Sequence, residues 1–579
     1  MTFRAKPVAN KPRRQTRDSY SRRNTYLNIG FGLAVGLAVV ILVGVAGFSY
    51  YGEHLAAAAT VGGQTITRDD FKDAASIEVW RLQQQQARIQ AAVAAGRLTS
   101  SQGQTQIQSL QQQAQTQTLA PAVLEKLIDG RIQADLAKEA GISVTPDQID
   151  AKIAEESTTP EQRHAWIIGV RPEVSAGKTD PTDEQKAAAK KIADQALTDV
   201  TTGGKKWEDV AKAVSTDSTA AAGGDLGWIA KDAAEDPKWL DAVFAAEPNK
   251  PTAVIEGDNG DYLIGKVTDV AAAQTDAAWL EKLKDANLSV DKYRSEVSSE
   301  VLRQELDDKA VADAMASDKQ RHILELALQE PGTPPLPGAV KVRHILFSPD
   351  HDPSKAQDLP ATDPAWSVAQ LAAESAYNDL VKDPSKFDQY ARDKSDEAAS
   401  QGDTGTGGKL GWVDSSTNFV QEFKDAVLKP GLKAGDILKP FKSDFGWHVV
   451  QIMYTQSDQA EMTELKNKIA GGADFATIAR DFSDGNEAGK GGDKGWVAQG
   501  LIDARLLRAI DAAPVGGLSE IVDIKNGGEF LYKVLAERTQ KPDAEQADTI
   551  KTRAFQNWYG EKKDAVTVTR PLLTELGIG

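Results

Sequence analysis

The pattern Gly-Gly-x-x-Gly-Trp occurs three times in this chain, beginning at Gly223, Gly407 and Gly491, and each occurrence is followed at comparable distance by an apolar, strand-like run. A unit that recurs with its downstream spacing intact is a repeated supersecondary structure, so much of the chain has to be built from copies of one module. The copy around Gly407 is the most complete, running from Lys341 to Tyr454, opening with VRHILFSP and closing with FGWHVVQIM. Val342, His344 and Leu346 alternate with Arg343 and Ile345. Phe445 to Met453 is rich in aromatic and β-branched residues and has no proline, so both ends read as strands. Between them the sequence predicts a helix over Ser367–Asp383, a second over Phe387–Asp393, the turn-rich GTGGKLGWV and a third helix within FVQEFKDAVLKPG.

That order, with RHIL at the start, Ser395-Asp396 before GGKLGW, an apolar helix ending in a KPG turn and FGWH at the close, resembles the parvulin (rotamase) family of peptidyl-prolyl isomerases over the whole module. The first copy is similar but less complete: RHAWIIGV at Arg163–Val170, then WEDVAKAVSTD and GGDLGWI, ending near DYLIGKVTDV at Asp261–Val270. The third, ADFATIARDFSDGNEAGKGGDKGWV followed by GGEFLYKVLAERT, shows no recognisable first strand and no histidine at its head, so it is expected to be truncated.

Of 579 residues, none is cysteine, which excludes disulfides, thiolate metal sites, thiol catalysis and a cysteine-linked lipid anchor. Six histidines without ligand-like clustering argue against a catalytic metal, and no cofactor is expected. A net charge of −17 makes non-specific nucleic-acid binding improbable. The charge is uneven, however. Arg4, Lys6, Lys11, Arg13, Arg14, Arg17, Arg22 and Arg23 precede an uncharged apolar run from Ile29 to Phe48, long enough to span a bilayer, with Tyr26, Tyr50 and Tyr51 at its ends. The sequence therefore predicts a basic cytoplasmic tail over 1–27, a single-pass anchor over 28–51 and an extracytoplasmic bulk at a bacterial cell membrane. A cleaved signal peptide, with small residues at Ala56 to Thr60, is the alternative.

Beyond the anchor, Thr67 reads as a helix N-cap with Asp69 and Asp70 in the first turn. The Gln-rich stretch Arg81–Gln117 reads as a polar-faced helical hairpin, with a flexible segment as the alternative. A helix over LAPAVLEKLIDGRIQADLAKEA ends at Gly141, and another starts after Thr145-Pro146. These segments resemble the chaperone domain of SurA-like and PrsA-like extracytoplasmic folding factors, and LSVDKYRSEVSSEVLRQELDDKAV at Leu288–Val311 resembles a later helix of the same domain. The fold class implied is α+β: an N-terminal transmembrane helix, a discontinuous helical chaperone domain and three parvulin-like antiparallel-sheet modules. The divisions are a leading chaperone segment at 56–158, an inserted degenerate module at 160–271, a returning chaperone segment at 275–335, the intact module at 338–456, a partial module at 457–538, and a closing helix at 541–579 that returns to the chaperone domain.

By the resemblance, His344 and His448 form a polar floor on neighbouring strands, with Glu397 at a position where the family has Cys or Asp, Asp396 as a substitute acid and Ser443 adding a hydroxyl. Phe419 and Phe423 form the proline pocket, and Trp412 and Phe445 are further substrate-binding positions. The flanking copies are expected to be defective. The first keeps His164, but Tyr262 aligns with the closing histidine, Ser218 with the acid and Glu235 with the first pocket aromatic, leaving Trp239. The third has Phe530 for the closing histidine and Arg505 near the second pocket position. The acidic loop SPDHDPSKAQDLPATDP after the first strand argues against phosphoserine targets. The function implied is a membrane-anchored prolyl isomerase and chaperone acting on unfolded or partly folded exported chains with X-Pro bonds. The alternatives are an inactive holdase and a structural tether of a secretion complex.

Overall fold

The computed structural model describes residues 56–578 apart from 175–180, 259, 329–335, 403–404, 456–461 and 525–526. The expected tail and anchor at 1–51 lie outside the described residues, among which no helix is long and apolar enough to cross a membrane. The described chain divides into two compact units, one up to 304 with 567–578 added, the other 305–566.

In the first unit, hairpin β1 (Ala57–Val61) and β2 (Gln64–Thr67) leads into α1 (Arg68–Ala94). Thr67 Oγ1 accepts from the Asp70 amide at 3.0 Å and the Asp70 carboxylate reaches back, so two otherwise orphaned groups of the first turn are satisfied. The Gln-rich stretch supplies the rest of α1 and α2 (Ser100–Gln113). Then come α3 (Thr116–Ala140), stopped by Gly141 at φ 70°, and α4 (Pro146–Ser157). A two-residue ladder, β3 (Thr158–Thr159) against the later β8 (Gln274–Thr275), forms a neck. Between its strands lie β4 (Gln162–Val170), α5 (Asp183–Thr201), α6 (Trp207–Val214), β5 (Asp225–Ala230), α7 (Pro237–Ala245), β6 (Ile255–Glu256) and β7 (Tyr262–Ala271). Their sheet has the order β5-β4-β7-β6. Past the neck, α8 (Trp279–Asp285) and the start of α9 (Val290–Ala316) rejoin the helices. Ile77, Trp80, Ile153, Trp279, Leu283, Tyr293 and Val297 share one core, and Trp279 donates to Tyr293 at 2.8 Å. The sheet module thus interrupts a single helical core.

The second unit corrects the expectation of a truncated third module. Its missing first strand is β9 (Lys319–Leu328), which precedes the central module and carries His322; residues 319–328 therefore do not belong to the chaperone helices. Next comes the central module: β10 (Val340–Phe347), α10 (Pro364–Lys382), α11 (Phe387–Lys394), β11 (Lys409–Val413), α12 (Gln421–Val427), β12 (Ile437–Ser443) and β13 (Gly446–Thr455), in the sheet order β11-β10-β13-β12. The outer module then resumes with α13 (Met462–Ala470), α14 (Phe475–Phe482), β14 (Asp493–Ala498), α15 (Ala504–Ala512), β15 (Val522–Ile524) and β16 (Gly528–Thr539), and its order is β14-β9-β16-β15. One module is nested inside a connection of another. Strand partners are chosen by hydrogen bonds and buried area rather than by adjacency in the chain, so reading the copies one after another misassigns β9.

The closing helix α16 (Ala544–Asp564) stays in this unit, where Ile550 and Ala554 pack on Ala314. It is β17 (Val568–Thr569), paired with Val61 and Thr60, followed by α17 (Pro571–Glu575), that returns to the first unit. The return is made by a strand and not by the expected helix.

Candidate active site

The repeated glycines explain how each module sets its strands. A Cβ on Gly408, Gly224 or Gly492 would lie 2.1, 2.2 or 2.3 Å from the carbonyl oxygen of His344, Ile167 or Glu325, and all three glycines have φ near +80°. Only glycine fits there. The same carbonyl-bearing residues donate their amides to the glycine oxygens at 2.7–2.8 Å. Two residues on, Leu346, Gly169 and Ala327 donate to the hydroxyls of Ser395, Ser215 and Ser483, each at 3.1 Å. These anchors place His344, Ile167 and Glu325 at equivalent positions.

In the central sheet Leu346 pairs with His448, which brings His448 beside His344 on the face covered by α12. His344 Nδ1 lies 3.2 Å from His448 Nδ1, His344 Nε2 lies 2.9 Å from Glu397 Oε2, and His448 Nε2 lies 2.7 Å from Ser443 Oγ. The hydroxyl of Ser400 donates to the same Glu397 oxygen at 2.6 Å, and the Phe445 amide donates to Ser443 Oγ at 3.1 Å. A carboxylate only accepts, so His344 carries its proton on Nε2 and accepts on Nδ1. His448 then donates from Nδ1 and accepts the Ser443 proton on Nε2, an assignment made from the partners. Both imidazoles are neutral in this chain of bonds, and each tautomer is locked by its neighbour.

Burial above all pushes the His448 pKa down to about 3, and the hydrogen bond from His344 holds Glu397 down to about 2. Between pH 3 and 6.5 the unfolded chain protonates His448 and the folded chain does not. Below the ordinary carboxylate range the same holds for Glu397. Stability is therefore present above those ordinary values and lost on acidification. We expect the unfolding free energy of the unit containing 338–456 to fall from pH 7 to pH 4, by up to about 1.4 kcal/mol per pH unit from His448. His448→Phe should flatten that slope in denaturant titrations at stepped pH, and an unchanged slope would count against the buried neutral imidazole.

The apolar part of the site closes around these rings. Phe423, 2% exposed, sets its edge against His344 and His448 at centroid distances of 5.8 and 5.3 Å, and Phe419 packs on it at 5.2 Å. Phe441 stacks on His448 at 5.3 Å and 19°. Neither Phe441 nor Ser400 is identified by the sequence reading. Phe441 had a signal, since it stands two residues before Ser443 on one strand and shares its face. Ser400, three residues after Glu397, had none beyond proximity.

Of two further expected positions, one lies on the other face and one joins the site through its backbone. Trp412 pairs with Lys341, whose neighbours Val340 and Val342 enter the pocket-side cluster, so alternation puts Trp412 on the opposite face of the sheet. Phe445 contributes its backbone, with its amide to Ser443 and its carbonyl to Ser348. Asp396 is also occupied: it caps the Ser348 amide at 2.7 Å and meets His351 at 2.8 Å, away from the imidazole pair.

With this geometry in place the comparisons are decisive. Residues 344–454 and 455–533 match the description "PPIC-type PPIASE domain", as do residues 151–271, and residues 20–160 match "SurA-like N-terminal domain". The chain belongs to the SurA-like, PPIC-domain family. It is 25% identical over 383 residues to "Chaperone SurA" of Yersinia pestis bv. Antiqua (strain Nepal516), covering 62% of this chain and 78% of that protein. Likeness to "Chaperone SurA" of Chromohalobacter salexigens is 24% over 318 residues, 50% and 68% of the two chains. The highest identity of these, 38% over 113 residues (19% of this chain, 34% of the other), is to a "Probable parvulin-type peptidyl-prolyl cis-trans isomerase" of Bordetella bronchiseptica.

The other two PPIC-type domains lack the polar floor. His164 and His322 stand three residues ahead of the His344 position and bond Asp225 at 2.9 Å and Asp493 at 2.7 Å, on the back of their sheets. The first domain therefore does not keep a histidine at the His344 position: Ile167 fills it, and the ladder partner of Gly169, equivalent to His448, is Leu263 rather than Tyr262. The acid position, two beyond Ser215, is Asp217 rather than Ser218. Trp239 does enter the pocket-side core, while half-buried Glu235, its carboxyl raised by burial and by Asp217, stands four residues ahead of it. In the outer domain Glu325 replaces the first histidine and is held by Tyr532 at 2.9 Å and Lys494 at 2.8 Å, with Phe530 at the His448 position. The buried residues of α15 are Leu506 and Ile510, while Arg505 turns out to Asp503 and Asp564.

Proposed function

We propose that this chain is a peptidyl-prolyl cis–trans isomerase and chaperone, with catalysis confined to the central domain and the rest binding unfolded exported polypeptides. The observation that carries this reading is the imidazole pair of His344 and His448 under the wall of Phe419, Phe423 and Phe441, a set that neither flanking domain reproduces. Rotation about an X-Pro bond meets a barrier of ~18–20 kcal/mol because conjugation is lost as the amide twists. No covalent step is needed. The planar amide has more charge separation than the twisted one, so transfer of the prolyl ring from water into an aromatic pocket favours the twisted form. The neutral imidazoles leave the floor uncharged, and the ionised Glu397 fixes the His344 ring without entering the pocket wall. Two of the similar proteins carry the name Chaperone SurA, which supports the binding role for the helical core and the altered domains. The test is a cis–trans exchange assay on the full chain with a short X-Pro peptide. No acceleration leaves the holdase reading in its place.

We also propose the single-pass arrangement, on the basic residues before Ile29 and the apolar run to Phe48. Protease added to cells stripped of any outer wall is expected to digest the bulk of the chain. Full protection would reject the topology.

A further inference from the structure

We infer that the outer PPIC-type domain is a positioning device for the central one: Asp481 holds Arg343, Asp484 holds Lys341 and the Ser483 carbonyl holds Lys409 on the back of the β10–β13 pair, and together they set the geometry of His344 and His448. This inference rests on the proposed isomerase site and adds residues outside it. Equivalent positions in the three domains set this contact apart. Three residues before the anchored position, the first and outer domains have His164 and His322; just after the second glycine they have Asp225 and Asp493. In each of those domains the two side chains satisfy each other. In the central domain the same two positions are Lys341 and Lys409, which repel.

Their partners come from the outer domain. Lys341 Nζ bonds both Asp484 oxygens at 2.8 and 2.9 Å, and Lys409 Nζ donates to the Ser483 carbonyl at 2.8 Å. Between them Arg343, its side chain 6% exposed, donates to Asp481 at 2.8 Å and to Gln451 at 2.7 Å while lying over the Phe387 ring at 4.7 Å. Arg343 precedes His344, and Gln451 lies three residues after His448, so this guanidinium ties together the two strands that carry the imidazoles. A buried cation left without its anion is costly, whereas an aspartate freed on an opened surface is solvated. The central domain therefore depends on the outer one more than the reverse.

The experiment uses the full chain with 15N-labelled histidine, six residues in all. In the wild type, ring-nitrogen signals should show His344 protonated at Nε2 and His448 at Nδ1. In Asp481→Asn with Asp484→Asn, those two patterns should move toward tautomer averaging while His164 and His322 stay unchanged. We expect kcat/KM to fall about tenfold, mostly in kcat. Asp481→Glu should restore the ring signals. If the double variant does not fold, Asp484→Asn alone, which leaves Arg343 paired, should give a smaller shift of the same kind. Unchanged His344 and His448 signals in the folded variants would overturn the inference. The two readings fail separately, because an inactive wild type rejects the isomerase role, whereas the ring signals report positioning without any turnover.

Discussion

A chain lacking residues 338–456, with the ends rejoined by a short flexible linker, is expected to show no acceleration of prolyl exchange above the uncatalysed rate. The deleted segment holds His344, His448 and Phe423, and the domains that remain offer Ile167 and Leu263, or Glu325 and Phe530, at the two histidine positions. The nesting makes the deletion structurally reasonable. β9 and β16 pair over their whole length without the central domain, and joining 337 to 457 through the linker leaves one continuous PPIC-type domain. Asp481 loses its bond to Arg343 and Asp484 its bond to Lys341, and both gain water there, at little cost. Exchange spectroscopy on an X-Pro peptide decides the matter, with circular dichroism to establish that the remaining sheets have formed. Persistent acceleration would mean that an altered domain catalyses through a different set of side chains.

Phe423→Ala is expected to reduce kcat/KM about a hundredfold, and Glu397→Gln by roughly tenfold or less. Phe423 touches both imidazoles, Phe419 and Phe441, and is nearly inaccessible. Truncating a buried Phe costs ~3–5 kcal/mol in a core, and losing even some of that from the surface that removes the prolyl ring from water falls directly on the transition state. Glutamine at 397 keeps the length and an acceptor oxygen for His344, and loses the charge that holds the ring in its tautomer. The carboxylate is thus a positioning group, and its replacement weakens one hydrogen bond by about 1 kcal/mol. Both variants are to be compared only where their dichroism matches the wild type. Inactivity of Glu397→Gln beside near-normal turnover of Phe423→Ala would transfer the mechanism from the apolar wall to the carboxylate.

Much of the site was legible because its signals are local. Strand alternation in VRHILF, the paired glycines and FGWH each lie within a few residues, and the family resemblance that they carry is what implied His344, His448, Phe419 and Phe423. Thr67 and Asp70 likewise announce their helix, since a capping box is closed within one turn. Phe441 was missed although it stands two residues before Ser443, because Pro440 beside it interrupts the reading of β12 as a strand.

The sequence alone determined that one module is repeated, which copy has two histidines at its strand ends, and that no thiol chemistry is available. Tertiary structure decided everything that depends on register or on distant pairing. His164 and His322 resemble His344 in their Arg-His motif, but the close approach of Gly224 and Gly492 to the first strand fixes them three residues away and on the other face. Since side chains alternate at every residue, an odd displacement reverses the face, and no local pattern records which displacement the glycine contact will choose. The pairing of β9 with β16 across the central domain is likewise set by a ladder between residues some two hundred positions apart in the sequence. The two lysines at 341 and 409 become intelligible only when that ladder has brought Asp481 and Asp484 to them.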